Sequence, residues 1–369
     1  MRTPKKERNV SRYLTRRHFL AFSTAAAVAV PRVAASWERA PGSDRTLRIG
    51  IIGMGQRGTE LARIVTDRSG SQRCEVVAVS TTRADWHDLV ARHDIDGVIV
   101  AAPDHAHAAI SIAAMESGKD VYCESPMART IEETDAMRDV AASTGSVLQI
   151  GATGVLDGPW RAARTFVQEG RIGELYWCQS SCAPRAIAEA PSWRDRWETS
   201  GGIASSNVFN RLAAMMTALN LGVPDRVSVA GGVYAGGVGE IPDSFVVSLE
   251  YVGGPKLILT TAHAHGNGAP SVLRGSNGTL YLDETTATFE TERGSVRTAT
   301  AGASRVDLMD DWMTSIRTRQ PCAFGVDTAY PVMVAAALAN AAYRTARSVS
   351  FDARESALVP APLRGERLA

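Results

Sequence analysis

Cysteine is scarce and unpatterned in this 369-residue chain. Cys74, Cys123, Cys178, Cys182 and Cys322 are odd in number and form no CxxC pair. Neither a disulfide framework nor a zinc-knuckle module is therefore expected, no metal site is assigned, and the thiols read as buried. No apolar run approaches the ~20 residues needed to cross a bilayer. An excess of one charge is also missing, with 40 Lys and Arg against 39 Asp and Glu. Eight of those basic residues and one acid lie within residues 1–35, so the remainder is net −6 and nucleic acid is excluded as an expected partner. Internal repeats and low-complexity stretches are absent. With 45% hydrophobic residues and 16 Pro against 32 Gly, the chain is neither disordered, collagen-like nor a coiled coil. Its length suits about two domains at ~150 residues each.

The first 35 residues read as a removable leader. Residues 2–17 are basic, Phe19 to Val30 are apolar, and Val33-Ala34-Ala35 offers a small-residue cleavage site. Thr15-Arg16-Arg17-His18-Phe19-Leu20 resembles the twin-arginine export signal of bacteria, whose route carries proteins already folded. The expectation is a periplasmic or extracellular protein that uses the twin-arginine machinery and has no membrane span once mature. An ordinary secretory leader is the alternative.

Residues 44–150 read as a dinucleotide-binding domain of strands alternating with helices, hence a doubly wound parallel sheet. The apolar run Leu47 to Ile52 enters Gly53-Met54-Gly55-Gln56-Arg57-Gly58, and Leu61, Ile64 and Val65 follow at helical spacing. In such a turn Gly53 permits the sharp bend, Gly55 lets backbone amides approach a pyrophosphate, and Gly58 allows close helix–strand packing, with Gln56 and Arg57 at the helix start. The strand Val76 to Val79 ends at Ser80, where a dinucleotide enzyme places a ribose-binding acid. With the carboxylate absent and Arg83 nearby, NADP is expected over NAD; a plain polar loop is the alternative. Only a helix at Asp85 to His93 fits before the next strand, Gly97 to Ala102. Helices at Ala108 to Ser117 and Ile131 to Ser143 and strands at Val121 to Cys123 and Ser146 to Ile150 complete this half.

Residues 151–351 change plan. A helix at Pro159 to Glu169 and a strand at Glu174 to Ser180 precede a helix near Ser206 to Leu219. Alternating strands follow at Arg226 to Val233, Ser244 to Tyr251, Lys256 to His265, Gly278 to Leu282 and Thr286 to Thr291. The reading is an α+β domain on a largely antiparallel sheet with helices on one face. An Ala-rich helix at Tyr330 to Ser348 closes it, and residues 352–369 read as a polar tail.

Taken together, several segments resemble the glucose-fructose oxidoreductase / inositol dehydrogenase / MocA (Gfo/Idh/MocA) family across nearly the whole mature length. They are the Gly-rich turn, Ala102-Pro103-Asp104-His105-Ala106-His107, Gly118 to Pro126, Ser192-Trp193-Arg194, Gly201-Gly202-Ile203-Ala204, Gly231-Gly232-Val233-Tyr234 and Pro242-Asp243. The resemblance implies hydride transfer between NAD(P) and a hydroxyl carbon of a sugar, inositol or related polyol. The cofactor would lie across the first domain and the substrate on the sheet of the second. It further implies cofactor contacts from Pro103, Glu124 and Pro126, and a homo-oligomer through the second sheet.

Departures from the family pattern fall at the chemical centre. Its Glu-Lys-Pro run is Glu124-Ser125-Pro126 here, and its helical aspartate and histidine are Ser206 and Asn210, with a further aspartate replaced by Ala213. Neutral Ser or Asn cannot take a proton from a hydroxyl near pH 7. His263 and His265, two apart on one strand face, are candidate substitute bases or a solvated strand-end pair. His105 and His107 are read as cofactor contacts or helix capping, with Asp104 a candidate N-cap. Tyr122 is a candidate substrate donor or a core aromatic, and Trp193, Arg194 and Trp197 are a sugar platform or a loop anchored by its tryptophans. Relative to the family, one helix and one edge strand are missing between Ser80 and Trp86. Two functions are carried forward: an exported oxidoreductase, and a catalytically silent binding or scaffolding protein. Glycoside cleavage through transient oxidation ranks third.

Overall fold

The structure is a computed structural model and describes residues 45–81, 85–182, 192–204, 207–234, 239–262, 269–299 and 305–361. The leader, Arg83, Ser206, His263 and His265 lie outside them.

Five parallel strands form the first sheet: β1 Leu47–Ile52, β2 Cys74–Ser80, β3 Gly97–Val100, β4 Asp120–Glu124 and β5 Leu148–Gly151, in the order β2-β1-β3-β4-β5. Strand β2 is an edge, in keeping with the shortened connection after Ser80. The helices are α1 Gln56–Asp67, α2 Ser69–Gln72, α3 Trp86–Ala91, α4 Asp104–Glu116 and α5 Ile131–Thr144. On one face, Val98, Val100, Val121 and Ile150 pack against Ile110, Ala114 and Met115 of α4 and Met137 of α5. Side chains alternate along a strand, so Ile49, Ile51 and Ile99 point to the other face.

That other face holds a result the sequence reading did not anticipate. Beyond Leu61 and Val65 of α1, it is covered by Leu308, Met309, Trp312, Met313 and Ile316 from a helix of the C-terminal half, α8 (Arg305–Thr318). Trp312 is fully buried and meets the Tyr122 ring edge-on at 5.9 Å. The sheet begun by residues 44–150 is therefore completed from far along the chain. Trp312→Ala is expected to destabilise the protein by about 3–5 kcal/mol, because a buried indole leaves a cavity that the sheet cannot close. Urea unfolding with an unchanged slope and an earlier midpoint would register it.

The second sheet has ten strands, ordered β13-β12-β11-β10-β6-β9-β8-β7-β14-β15. They are β6 Leu175–Cys182, β7 Arg226–Gly232, β8 Ser244–Glu250, β9 Lys256–Ala262, β10 Ser271–Gly275, β11 Gly278–Leu282, β12 Thr286–Thr291, β13 Gly294–Ala299, β14 Val349–Asp352 and β15 Ala357–Pro360. Only β6 and β9 pair in parallel; the other neighbours run antiparallel. Helices α6 Gly158–Gln168, α7 Asn207–Ala218 and α9 Val326–Thr345 cover one face, where Cys178, Val247, Leu249, Leu257 and Leu259 are buried. The fold is thus α/β, a Rossmann-type parallel sheet followed by a largely antiparallel one.

The expected polar tail needs correction. Strand β15 pairs with β14 through residues 349–360, and β14 joins the edge of β7 at Val349 and Val227. The Ser350 hydroxyl donates to the Asp225 carbonyl at 2.7 Å. A free sheet edge leaves backbone groups unpaired, and this segment covers part of the β7 edge. Strands β10 and β13 are also absent from the sequence reading: β10 joins β6 to β11 inside the sheet, and β13 forms its opposite edge.

Candidate active site

The turn from β1 into α1 has the form that its glycines require. Gly53 sits at φ +95°, and a Cβ there would stand 2.5 Å from the Ala101 carbonyl oxygen. A Cβ on Gly58 would stand 1.8 Å from the Gly53 oxygen, whereas one on Gly55 would meet nothing within 4 Å. Two glycines thus close the turn and the third leaves its mouth open. Gly55 is the N-cap of α1, with no side-chain cap and no acid in the first turn. The first amides of a helix lack intrahelical acceptors and carry the positive end of its dipole, so this opening presents donors to an anion. The residues present fit the pyrophosphate of a dinucleotide.

Around the turn, Ser80 is buried and its carbonyl accepts the Gly53 amide at 2.9 Å. Arg57 extends from the start of α1 to Glu60 at 2.8 Å and, through Nε, to Glu124 Oε1 at 3.5 Å. Glu124 is buried at the end of β4. This Arg57–Glu124 approach joins two segments of the motif set, and spacing alone gave no sign of it.

Asp104 does not cap α4 as expected; Pro103 occupies the N-cap. The buried Asp104 carboxylate instead accepts the Gly201 amide at 2.8 Å, and the His105 amide donates to the Thr199 carbonyl at 3.3 Å. Asn340 of α9 holds the same turn from the other side, accepting from the Ile203 amide at 2.9 Å and donating to the Gly201 carbonyl at 2.8 Å. The Ala102–His107 segment is thereby fastened to the segment that leads into α7.

Two expected contact residues are buried instead. Tyr122 has no exposed surface and packs on Trp312, so its direct contact with substrate is corrected to a packing role. His107 is 1% exposed, with Nδ1 at 2.7 Å from the Pro126 carbonyl and Nε2 at 2.8 Å from the Ala102 carbonyl. It joins the Ala102 and Pro126 segments from within the protein.

The structure brings together Ser125 and Asn210, two of the residues expected to stand at the chemical centre. Ser125 Oγ donates to Asn210 Oδ1 at 3.2 Å, across 85 positions of sequence. Both are partly exposed, and both are neutral. Trp193 and Arg194 lie in a short helical turn capped by Ser192, with the guanidinium 4.2 Å from the centre of the indole ring. Trp197 is an anchor: its ring lies 6.1 Å from Tyr343 and 5.3 Å from the Arg344 guanidinium.

Residues 47–152 match the model of the oxidoreductase family with an NAD-binding Rossmann fold, and residues 160–281 match the Gfo/Idh/MocA C-terminal domain. Together the two span more than half of the chain. The chain belongs to the Gfo/Idh/MocA family. It is of that family's NAD(P)-dependent oxidoreductase type.

Curated members similar to it include the 2,7-anhydro-N-acetylneuraminate hydratase of Mediterraneibacter gnavus, 25% identical over 65% of this chain and 68% of that protein. The levoglucosan dehydrogenase of Pseudarthrobacter phenanthrenivorans is 26% identical over 54% of this chain and 58% of that protein. An inositol 2-dehydrogenase of Saccharopolyspora erythraea is 32% identical over 35% of this chain and 43% of that protein. The chain thus spans less than half the length of that last relative. Among solved folds, an NAD-binding protein from Listeria innocua superposes with a TM-score of 0.70 at 17% identity, covering 83% of this chain and 99% of its own. The biliverdin reductase of Synechocystis, in complex with biliverdin and NADP+, gives 0.67 at 18% identity over 80% and 98%.

Proposed function

We propose that this Gfo/Idh/MocA protein is an exported enzyme, carried by the twin-arginine route, that oxidises or reduces a hydroxyl-bearing carbon of a sugar, cyclitol or related polyol with NADP or NAD. The observation that carries the reading is the open cradle at Gly55, next to a segment that leads to the Ser125–Asn210 pair. When bound, the nicotinamide would supply hydride acceptance or donation. Gly53, Gly55, Gln56, Arg57 and Gly58 would hold its phosphates, with Pro103, Glu124 and Pro126 beside the reacting end. The Ser125 hydroxyl and the Asn210 amide would orient a substrate hydroxyl, since each can donate and accept a hydrogen bond. Neither takes up its proton near pH 7, and that task is assigned to His263 or His265. The preference for NADP rests on Ser80 and Arg83, and substrate stacking on Trp193 and Arg194, with Ser206 a further substrate-contact candidate. A homo-oligomer through the helix-free face of the second sheet belongs to the same reading.

The second reading is a catalytically silent relative that binds carbohydrate or serves as a scaffold. It is favoured by one observation: the groups at the chemical centre hydrogen-bond to each other and neither ionises. Denaturing the purified protein and chromatographing what it releases separates the two readings, with added nucleotide titrated in parallel. Release of NADP(H) or NAD(H), or micromolar binding, is the expected result. His263→Ala and His265→Ala would then be screened for loss of turnover on a polyol panel. No binding up to millimolar nucleotide would remove the hydride reaction and leave the silent relative.

A further inference from the structure

His107 lies where a neutral imidazole would be misplaced. Both of its ring nitrogens face backbone carbonyls, Pro126 at 2.7 Å and Ala102 at 2.8 Å, and the ring is 1% exposed. Carbonyl oxygens only accept hydrogen bonds, while a neutral imidazole has a single N–H. In either neutral tautomer one ring lone pair would be held against a carbonyl lone pair with no water to intervene, a costly buried mismatch. Only the imidazolium satisfies both contacts.

We propose that His107 is a positioning residue protonated at neutral pH, a buried imidazolium that clasps the Ala102–Pro103 segment to the Ser125–Pro126 segment. Those are the segments that border the nucleotide cradle and carry Ser125, the partner of Asn210. Naming them as cofactor-bordering rests on the proposed function; the charge on the ring and the clasp do not.

The surroundings agree with the geometry. Burial by itself would strip the proton from His107. That effect is outweighed by the neighbouring Cys123 sulfur, the Asp104 carboxylate one turn back on α4 and the Pro126 carbonyl, which together push the group up to about 10. Among the described residues, Asp104 is the carboxylate that acts on the ring, Cys123 lies beside it, and Ala102 and Pro126 contribute carbonyls. Asp104 also holds the Gly201 amide, so the clasp continues into the segment before α7. The direction of the pH dependence follows. The folded value lies above the ordinary 6.5, so the stabilisation is complete below that pH and is lost as pH rises through about 10.

The test uses the full-length protein labelled with 15N-histidine. Long-range proton–nitrogen correlation reports each ring's protonation, and His107 is assigned by its disappearance in His107→Gln. The expected result is both ring nitrogens protonated at about pH 8.5, where an ordinary histidine is neutral. In Cys123→Ala the titration should fall by about one unit or more. A neutral tautomer at that pH in the parent overturns the proposal. Hydrogen exchange reads the positioning role. Amides of residues 101–102 and 125–128, prolines aside, should exchange at least about tenfold faster in His107→Gln, with protection elsewhere retained. Unchanged exchange there overturns the clasp. Should His107→Gln fail to fold, Cys123→Ala and the parent are compared at one pH between their two titrations, where the same amides must differ. Nucleotide binding is no part of the readout, so failure of the hydride reaction, seen in the nucleotide-release experiment, stays distinct from failure of the clasp.

Discussion

Gly55→Asp is expected to fold like the parent and to lose nucleotide affinity by at least about 100-fold. The backbone at Gly55 is extended, at φ −72° and ψ −167°, which any residue adopts, and a Cβ there meets nothing within 4 Å. Aspartate is among the best N-cap residues, so its carboxylate would accept from the first amides of α1 and add a few tenths of a kcal/mol. Those same amides are the donors proposed for the pyrophosphate. The substitution would consume them and set a negative charge against phosphate oxygens, where ~3 kcal/mol of repulsion is enough for the predicted loss. Calorimetric titration with NADP+ and NAD+ beside a thermal melt would check both halves of the statement. Retained affinity would place the nucleotide elsewhere, or nowhere, on this chain.

The double variant Ser125→Lys with Asn210→His should raise turnover of a polyol by about 10²–10⁴-fold, the usual contribution of a positioned general base and its cationic partner. The two side chains already meet, at 3.2 Å, so the restored groups would begin within reach of each other. In the parent that contact joins a hydroxyl and an amide, neither of which exchanges a proton with a substrate at neutral pH. Steady-state kinetics on purified parent and variant, with bound nucleotide measured in each, is the check. A gain in kcat with little change in KM would show that proton uptake at His263 or His265 limits the parent. A fall in turnover would instead show that the Ser125–Asn210 pair is itself used by the reaction.

Much of the first domain was legible because its determinants are local. A strand, a glycine turn and a helix follow one another within residues 47–67, and each contact that closes the turn comes from a near neighbour or from the adjacent β3. The resemblance, carried by several short segments, likewise pointed to the family that the matches then established. Helix α8 was missed although its apolar spacing, Leu308, Met309, Trp312, Met313 and Ile316, is helical. Its partner surface lies more than 180 positions earlier, so periodicity could have revealed the helix but not where it packs. Tyr122 and His107 were left between a functional and a structural role, and only their burial decided for the second.

Sequence alone determined the order of strands and helices in the first domain, the place of the nucleotide turn and the chemical character of the central residues, because hydrophobic period, glycine and side-chain type act over a few residues of chain. Only the tertiary structure decided that Ser125 faces Asn210, that Asp104 holds Gly201, that α8 completes the first sheet and that both nitrogens of His107 point at carbonyls. Each of these joins groups brought together by the packing of whole sheets and helices. Such contacts form only where the burial of a distant apolar face offsets the entropy of closing the chain between them.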